Sequence, residues 1–133
     1  MKKIVVNAII ERTEDGTYTV FMDNYDYKFG LIGYGKTAKE AKDDFFVAYD
    51  EIREMNVCEV PDLEFNFTYD TSSFLQLFKD RIGLANLQAI TGINRRQLHH
   101  YASGVSRPSK KTVQRIQEGI KKYGEELCKV QLI

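Results

Sequence analysis

Cysteine is scarce: 133 residues hold two, Cys58 and Cys128, with no CxxC spacing. Two distant cysteines make neither a disulfide framework nor a zinc site, so a reducing compartment is the default. Histidine is equally rare, with one adjacent pair, His99 and His100. Neighbouring side chains on a helix diverge by about 100°, so these two cannot chelate one metal. No serine or cysteine has the companions of a nucleophilic triad. Long apolar runs are missing as well. The chain opens Met1-Lys2-Lys3-Ile4-Val5-Val6-Asn7, and Asn7 and Glu11 interrupt the apolar stretch too early for a signal peptide or membrane helix. The expectation is a cytoplasmic protein with no membrane partner, no cofactor, no metal ligands and no catalytic residues. Internal repeats and low-complexity tracts are also lacking.

Net charge is absent on average, with 19 basic and 19 acidic residues, but the average hides a division. Residues 1–70 carry 8 Lys/Arg against 15 Asp/Glu, a balance of −7; residues 71–133 carry 11 against 4, a balance of +7. Eight basic residues and a single acid, Glu118, lie between Arg95 and Lys122. A phosphate backbone attracts such a segment and repels the acidic half, so a nucleic-acid partner belongs to the C-terminal half.

The pattern of residues predicts two modules. Residues 4–10 are apolar and β-branched, and residues 17–23 alternate Tyr18, Val20 and Met22 with polar neighbours. Glu14-Asp15-Gly16 between them is a hairpin signal. A third strand is expected over 28–33, after an Asn24-Tyr25-Asp26 turn. Thr37 caps a helix, with Glu40 completing a capping box. Ala38, Ala41, Phe45, Ala48, Ile52 and Met55 recur every three or four residues as one helical stripe. Pro61 marks a break, and residues 63–69 alternate as a half-buried strand. Residues 1–70 therefore read as a small β-β-β-α-β sheet with one helix on one face. Cap candidates Asp70-Thr71-Ser72-Ser73 open a second module over 71–133. Its helices are expected over 73–82, 85–91, 95–103 and 109–123, the last with Val113, Ile116, Ile120 and Tyr123 on one stripe. The apolar tail, 127–133, is read as a short strand or a surface packed on a partner.

The richest stretch is residues 87–109. Gly92 supplies a left-handed turn, Asn94 caps the next helix, and Leu87, Ile93, Leu98 and Tyr101 are placed as the core between two helices. Arg95, Arg96, His99 and His100 then face away from that core. Ser103-Gly104 ends the helix, and Arg107, Ser109, Lys110 and Lys111 gather at the start of the next, a natural phosphate clamp. Arginine reaches guanine bidentately, and histidine reaches base edges or phosphate. This stretch resembles the lambda-repressor-like (XRE) helix-turn-helix family over about residues 73–123. Leu87-Gln88-Ala89-Ile90-Thr91-Gly92-Ile93-Asn94 is similar to the family's Leu-Ala-x-x-Thr-Gly-Val-Ser core, and Tyr101-Ala102-Ser103-Gly104-Val105-Ser106-Arg107-Pro108-Ser109 to its closing Tyr-x-x-Gly-x-x-x-Pro-Ser. The resemblance implies that Arg95, Arg96 and His100 read bases, with Asn94, Gln97 and Lys110 nearer the backbone. Gln88 stands where the family usually has alanine, at a close-packed position between helices.

One enzyme pattern needs weighing. Gly30-Leu31-Ile32-Gly33-Tyr34-Gly35-Lys36-Thr37 satisfies the P-loop formula G-x-x-x-x-G-K-[ST]. A nucleotide hydrolase also needs a parallel sheet covered on both faces and an acidic residue on a second apolar strand. Only the alternating segment 63–70 follows the helix, so Gly33 and Gly35 read as turn residues leading to Thr37. Asp43, Asp44, Asp50, Glu51 and Glu54 read as a solvated helix face. The chain is not expected to be an enzyme.

Tyr18-x-Val20, Gly35-x-Thr37-x-x-Glu40-Ala41 and the β-β-β-α-β order are similar to the HicB antitoxin family, whose N-terminal domain is a truncated RNase H-like fold. The family's usual proline after the second strand is replaced by Met22-Asp23-Asn24. The truncated fold lacks the nuclease's acidic cluster, so Asp23 and Asp26 are not expected to bind metal. The full expectation is α+β: a β-β-β-α-β module followed by an all-α lambda-repressor-like helix-turn-helix domain. The resemblance implies a transcriptional repressor that binds double-stranded operator DNA through its second domain. It also implies an antitoxin whose first domain neutralises a small basic RNA-cleaving toxin. The alternative is a stand-alone regulator without a toxin. Two-fold symmetric operators call for a homodimer or dimer of dimers.

Overall fold

Alternation along residues 4–22 decides the first layer. In the computed structural model, which describes residues 3–23 and 27–133, β1 (Ile4–Arg12) buries Val6, Ala8 and Ile10 on one face. It pairs antiparallel with β2 (Tyr18–Met22), which turns Tyr18, Val20 and Met22 to the same face. The hairpin closes with the Thr13 amide donating to the Thr17 carbonyl at 2.8 Å. The expected turn at Asn24-Tyr25-Asp26 lies outside the described residues, as do Met1 and Lys2. β3 (Ile32–Gly35) starts later than the expected 28–33 and pairs antiparallel with β2. β4 (Leu63–Tyr69) pairs parallel with β1, so the sheet is mixed, in the order β3-β2-β1-β4.

Helix α1 (Ala38–Met55) covers one face of this sheet. Thr37 Oγ1 accepts from the Glu40 amide at 3.1 Å, and Glu40 Oε2 accepts from the Lys36 amide at 2.9 Å. The buried positions are Ala41, Phe45 and Tyr49, whereas Met55, counted in the expected stripe, is exposed. Tyr49 is amphipathic: its ring packs edge-on against Phe65, while its hydroxyl accepts from the Leu63 amide at 2.8 Å and donates to the Pro61 carbonyl at 3.0 Å. A tyrosine so placed ties α1 to the start of β4.

The chain divides into two compact units at Asp70/Thr71. The second holds α2 (Thr71–Ile82), α3 (Leu84–Thr91), α4 (Arg95–Ser103) and α5 (Lys110–Cys128). Leu75, Leu87, Ile93, Leu98, Tyr101, Ala102 and Ile116 form its core. Helix α5 runs to Cys128, past the expected end at Tyr123, and no strand forms in residues 127–133.

The fold-class expectation is therefore corrected. The protein is α+β, with a four-stranded mixed sheet and five helices among the described residues, and an all-α lambda-repressor-like helix-turn-helix domain after a sheet module is not shown. Glycine turns and polar caps specify where helices stop and start. A fold class depends also on how helices cross, which is set by side chains distant in sequence.

Candidate nucleic-acid interface

The turn between α3 and α4 is built from short-range bonds. Gly92, at φ 74°, donates its amide to the Gln88 carbonyl at 2.8 Å, a left-handed cap that favours glycine. Thr91 Oγ1 donates to the Leu87 carbonyl at 2.7 Å and accepts from the Ile93 amide at 3.2 Å. Asn94 Oδ1 accepts from the Arg96 amide at 2.8 Å. Gln88, the departure from the family pattern, is exposed, and its Oε1 accepts from the Arg95 amide at 2.9 Å. The glutamine thus works as a second cap on α4, satisfying one of the four amides a helix start leaves free.

With Leu98, Tyr101 and Ala102 buried, α4 presents Arg95, Arg96 and His99 to solvent, with His100 half-buried beside them. Leu84, Asn94, Arg95, Arg96 and His99 line one open groove between the starts of α3 and α4. Arg107, Ser109, Lys110 and Lys111 are exposed but lie outside the groove lining, on the loop after α4 and the first turn of α5. Gln97 Nε2 donates to Ser106 Oγ at 3.2 Å, which anchors that loop to α4. Ser109 Oγ accepts from the Thr112 amide at 3.2 Å. Asn94, Gln97 and Ser109, expected to face DNA, therefore also hold the scaffold together.

The electrostatics are unusual for helix starts. A helix N-terminus is the positive end of the backbone dipole and favours acids, with each cation there costing about 0.3–1 kcal/mol. Helix α1 obeys this with Glu40 in its first turn. Helix α4 instead begins Arg95-Arg96 and α5 begins Lys110-Lys111, with no acid in either first turn. Among the described residues none of Arg95, Arg96, Arg107, Lys110 and Lys111 has an ion-pair partner; Lys39–Asp43 and Arg53–Asp62 pair within the first unit. A bound anion would neutralise the cations and face the dipoles at once.

Sequence reasoning missed Arg115, which is exposed and donates from Nη2 to the Gly92 carbonyl at 3.2 Å. Its signal was the four-residue step from Lys111, which sets both on one side of α5.

The P-loop pattern has a packing explanation. A Cβ on Gly35, which the formula fixes, would lie 2.5 Å from the Ala41 nitrogen, and one on Gly33 2.3 Å from the Ala41 carbonyl oxygen, so β3 and α1 touch backbone to backbone. The amides of Tyr34 and Lys36, which a phosphate would need, donate to the carboxylates of Asp44 and Glu40. Among the described residues no group of three His, Cys, Asp or Glu is placed to hold a metal. Asp23 is exposed, and Asp26 lies outside the described residues. No described helix is long and apolar enough to cross a membrane. Comparison with protein-family models, curated proteins and solved structures gives no match.

Proposed function

We propose that this protein is a DNA-binding transcriptional repressor that meets duplex DNA with the solvent face of α4 and the cationic start of α5. One observation carries the reading: two helices begin with paired cations that have no ion-pair partner among the described residues, where acids would stabilise the fold. Arg95 and Arg96 stand at the end of a nine-residue helix with a polar outer face, the shape and chemistry a major groove admits. Arg107, Lys110 and Lys111 supply phosphate contacts that hold the register.

The first unit, at −7, is the wrong sign for DNA and the right sign for a basic protein. We assign it the role of partner binding, and the resemblance to HicB antitoxins makes that partner a small RNA-cleaving toxin. The uncovered face of the sheet, where Val5, Ile32 and Tyr34 are exposed, offers such a partner an apolar surface; a stand-alone regulator is the alternative.

A gel-shift titration of the full chain on duplex DNA from upstream of its own gene tests the first half. Binding is expected, and Arg95→Ala with Arg96→Ala is expected to weaken it. Unchanged binding in that double variant would remove α4 from the interface. Co-purification with the product of an adjacent short basic reading frame supports the antitoxin; its failure with DNA binding intact leaves the stand-alone regulator.

A further inference from the structure

Helix α5 carries more apolar surface than its own unit covers. Val113, Ile116, Ile120, Tyr123 and Leu127 recur every three or four residues along its 19 residues, forming one stripe. Ile116 is buried in the core and Ile120 packs against it. Support then ends: Tyr123 is 39%, Leu127 54%, Val130 58% and Leu132 90% exposed. A helix end of this length gains little stability from propensity alone and needs tertiary packing on its apolar side.

We infer that this stripe is the contact surface for a second copy of the chain, packed antiparallel about a two-fold axis near Gly124. The order of charges selects both occupant and direction. Lys121-Lys122 precede Gly124 and Glu125-Glu126 follow it. Antiparallel pairing about residue 124 sets Lys122 opposite the partner's Glu126, and symmetry repeats that pair. Parallel pairing sets lysine against lysine and glutamate against glutamate. Lys122 and Glu126 also stand four residues apart, yet among the described residues neither forms an ion pair within the chain. A Cβ on Gly124 would meet nothing within 4 Å, leaving room there for a second helix. Ile120 then faces the region of the partner's Leu127, closing the apolar stripe upon itself. This surface does not depend on the DNA reading.

Sedimentation equilibrium on the full chain at micromolar concentration is expected to give twice the 15.4 kDa chain mass. Leu127→Glu is expected to weaken the dimer roughly a hundredfold, because symmetry removes two buried leucines at once. Leu127 lies outside the core, so thermal unfolding should still show a folded protein. Lys122→Glu and Glu126→Lys should each weaken self-association about tenfold, since each replaces two attractive pairs with repulsive ones. Mixed together, these two variants should form a heterodimer in preference to either homodimer, which pairing within one chain cannot produce. Antiparallel partners hold their Cys128 residues about 12 Å apart along the axis, beyond the roughly 7 Å a disulfide spans. Mild oxidation should therefore give no linked dimer. A monomeric wild-type chain, or a dimer insensitive to all three variants, would overturn the interface. A dimer linked through Cys128 would overturn the antiparallel register.

Discussion

If the loop after α4 and the start of α5 hold phosphate, affinity for duplex DNA must fall steeply with salt, by an amount that can be worked out beforehand. Among the described residues five exposed cations there lack ion pairs; Arg107, Lys110 and Lys111 are assigned to phosphate, Arg95 and Arg96 to bases. Each phosphate neutralised on duplex DNA contributes about −0.9 to the slope of log affinity against log salt. Three phosphate contacts give a slope of roughly −2.7 per copy, or about a 40-fold loss between 50 and 200 mM salt. Fluorescence anisotropy on a labelled duplex measures this directly. Alanine variants then separate roles. Loss of a phosphate contact, expected for Lys110→Ala, should lower affinity on every sequence and make the slope shallower by about 0.9. Loss of a base contact, expected for Arg96→Ala, should cost about 1–3 kcal/mol on the preferred site and flatten discrimination at one base pair. A slope shallower than about −1 would refute the electrostatic argument, because Arg107, Lys110 and Lys111 could not then all be meeting phosphates.

The remaining predictions concern the first unit. Gly33→Ala should destabilise it by about 3 kcal/mol or more in urea unfolding, since the added methyl meets backbone on α1, whereas Gly30→Ala, with nothing within 4 Å, should be nearly neutral. Equal effects of the two substitutions would count against the packing account. Tyr49→Phe leaves the Leu63 amide and Pro61 carbonyl without their partner and should cost about 1–3 kcal/mol by the same measurement. The hydroxyl of Thr13, then the hydroxyl and amide of Thr17, hold the Asp15 carboxylate, lowering its pKa from 3.8 to about 2. A lowered folded pKa means the stabilisation is present above the unfolded value and is lost as pH falls from about 4 to about 2. Carboxyl titration by NMR should place Asp15 at the low end, and Asp15→Asn should remove its share of the acid sensitivity.

Much of the candidate interface was legible because its signals are short-range. Gly92 and Asn94 mark the end of one helix and the start of the next, and the 3.6-residue period alone sends Leu98 and Tyr101 inward and Arg95, Arg96 and His99 outward. What was not legible involved side chains acting across a turn or between elements. Gln88 read as a crowding substitution at a helix contact, yet it reaches seven residues on to cap Arg95. Tyr49, absent from the expected stripe, follows Phe45 by four residues, and its ring packs edge-on against Phe65 of β4. Met55 fits the helical period but sits on the last turn and is exposed.

Residue order by itself determined the local grammar of this chain: alternating strands, capped helices, and a charge division that sets an acidic half against a basic one. Those features depend on neighbours within about four residues, or on simple sums, so no folding is needed to see them. Only the tertiary structure decided that β4 lies parallel beside β1, which pairs Ile4 with Leu63 across 59 residues. It also decided that Gly33 is a contact with α1, and that the far half of α5 is left uncovered. Pairings of that kind are chosen by competition among all surfaces of the chain, and a local pattern carries no record of which surface wins.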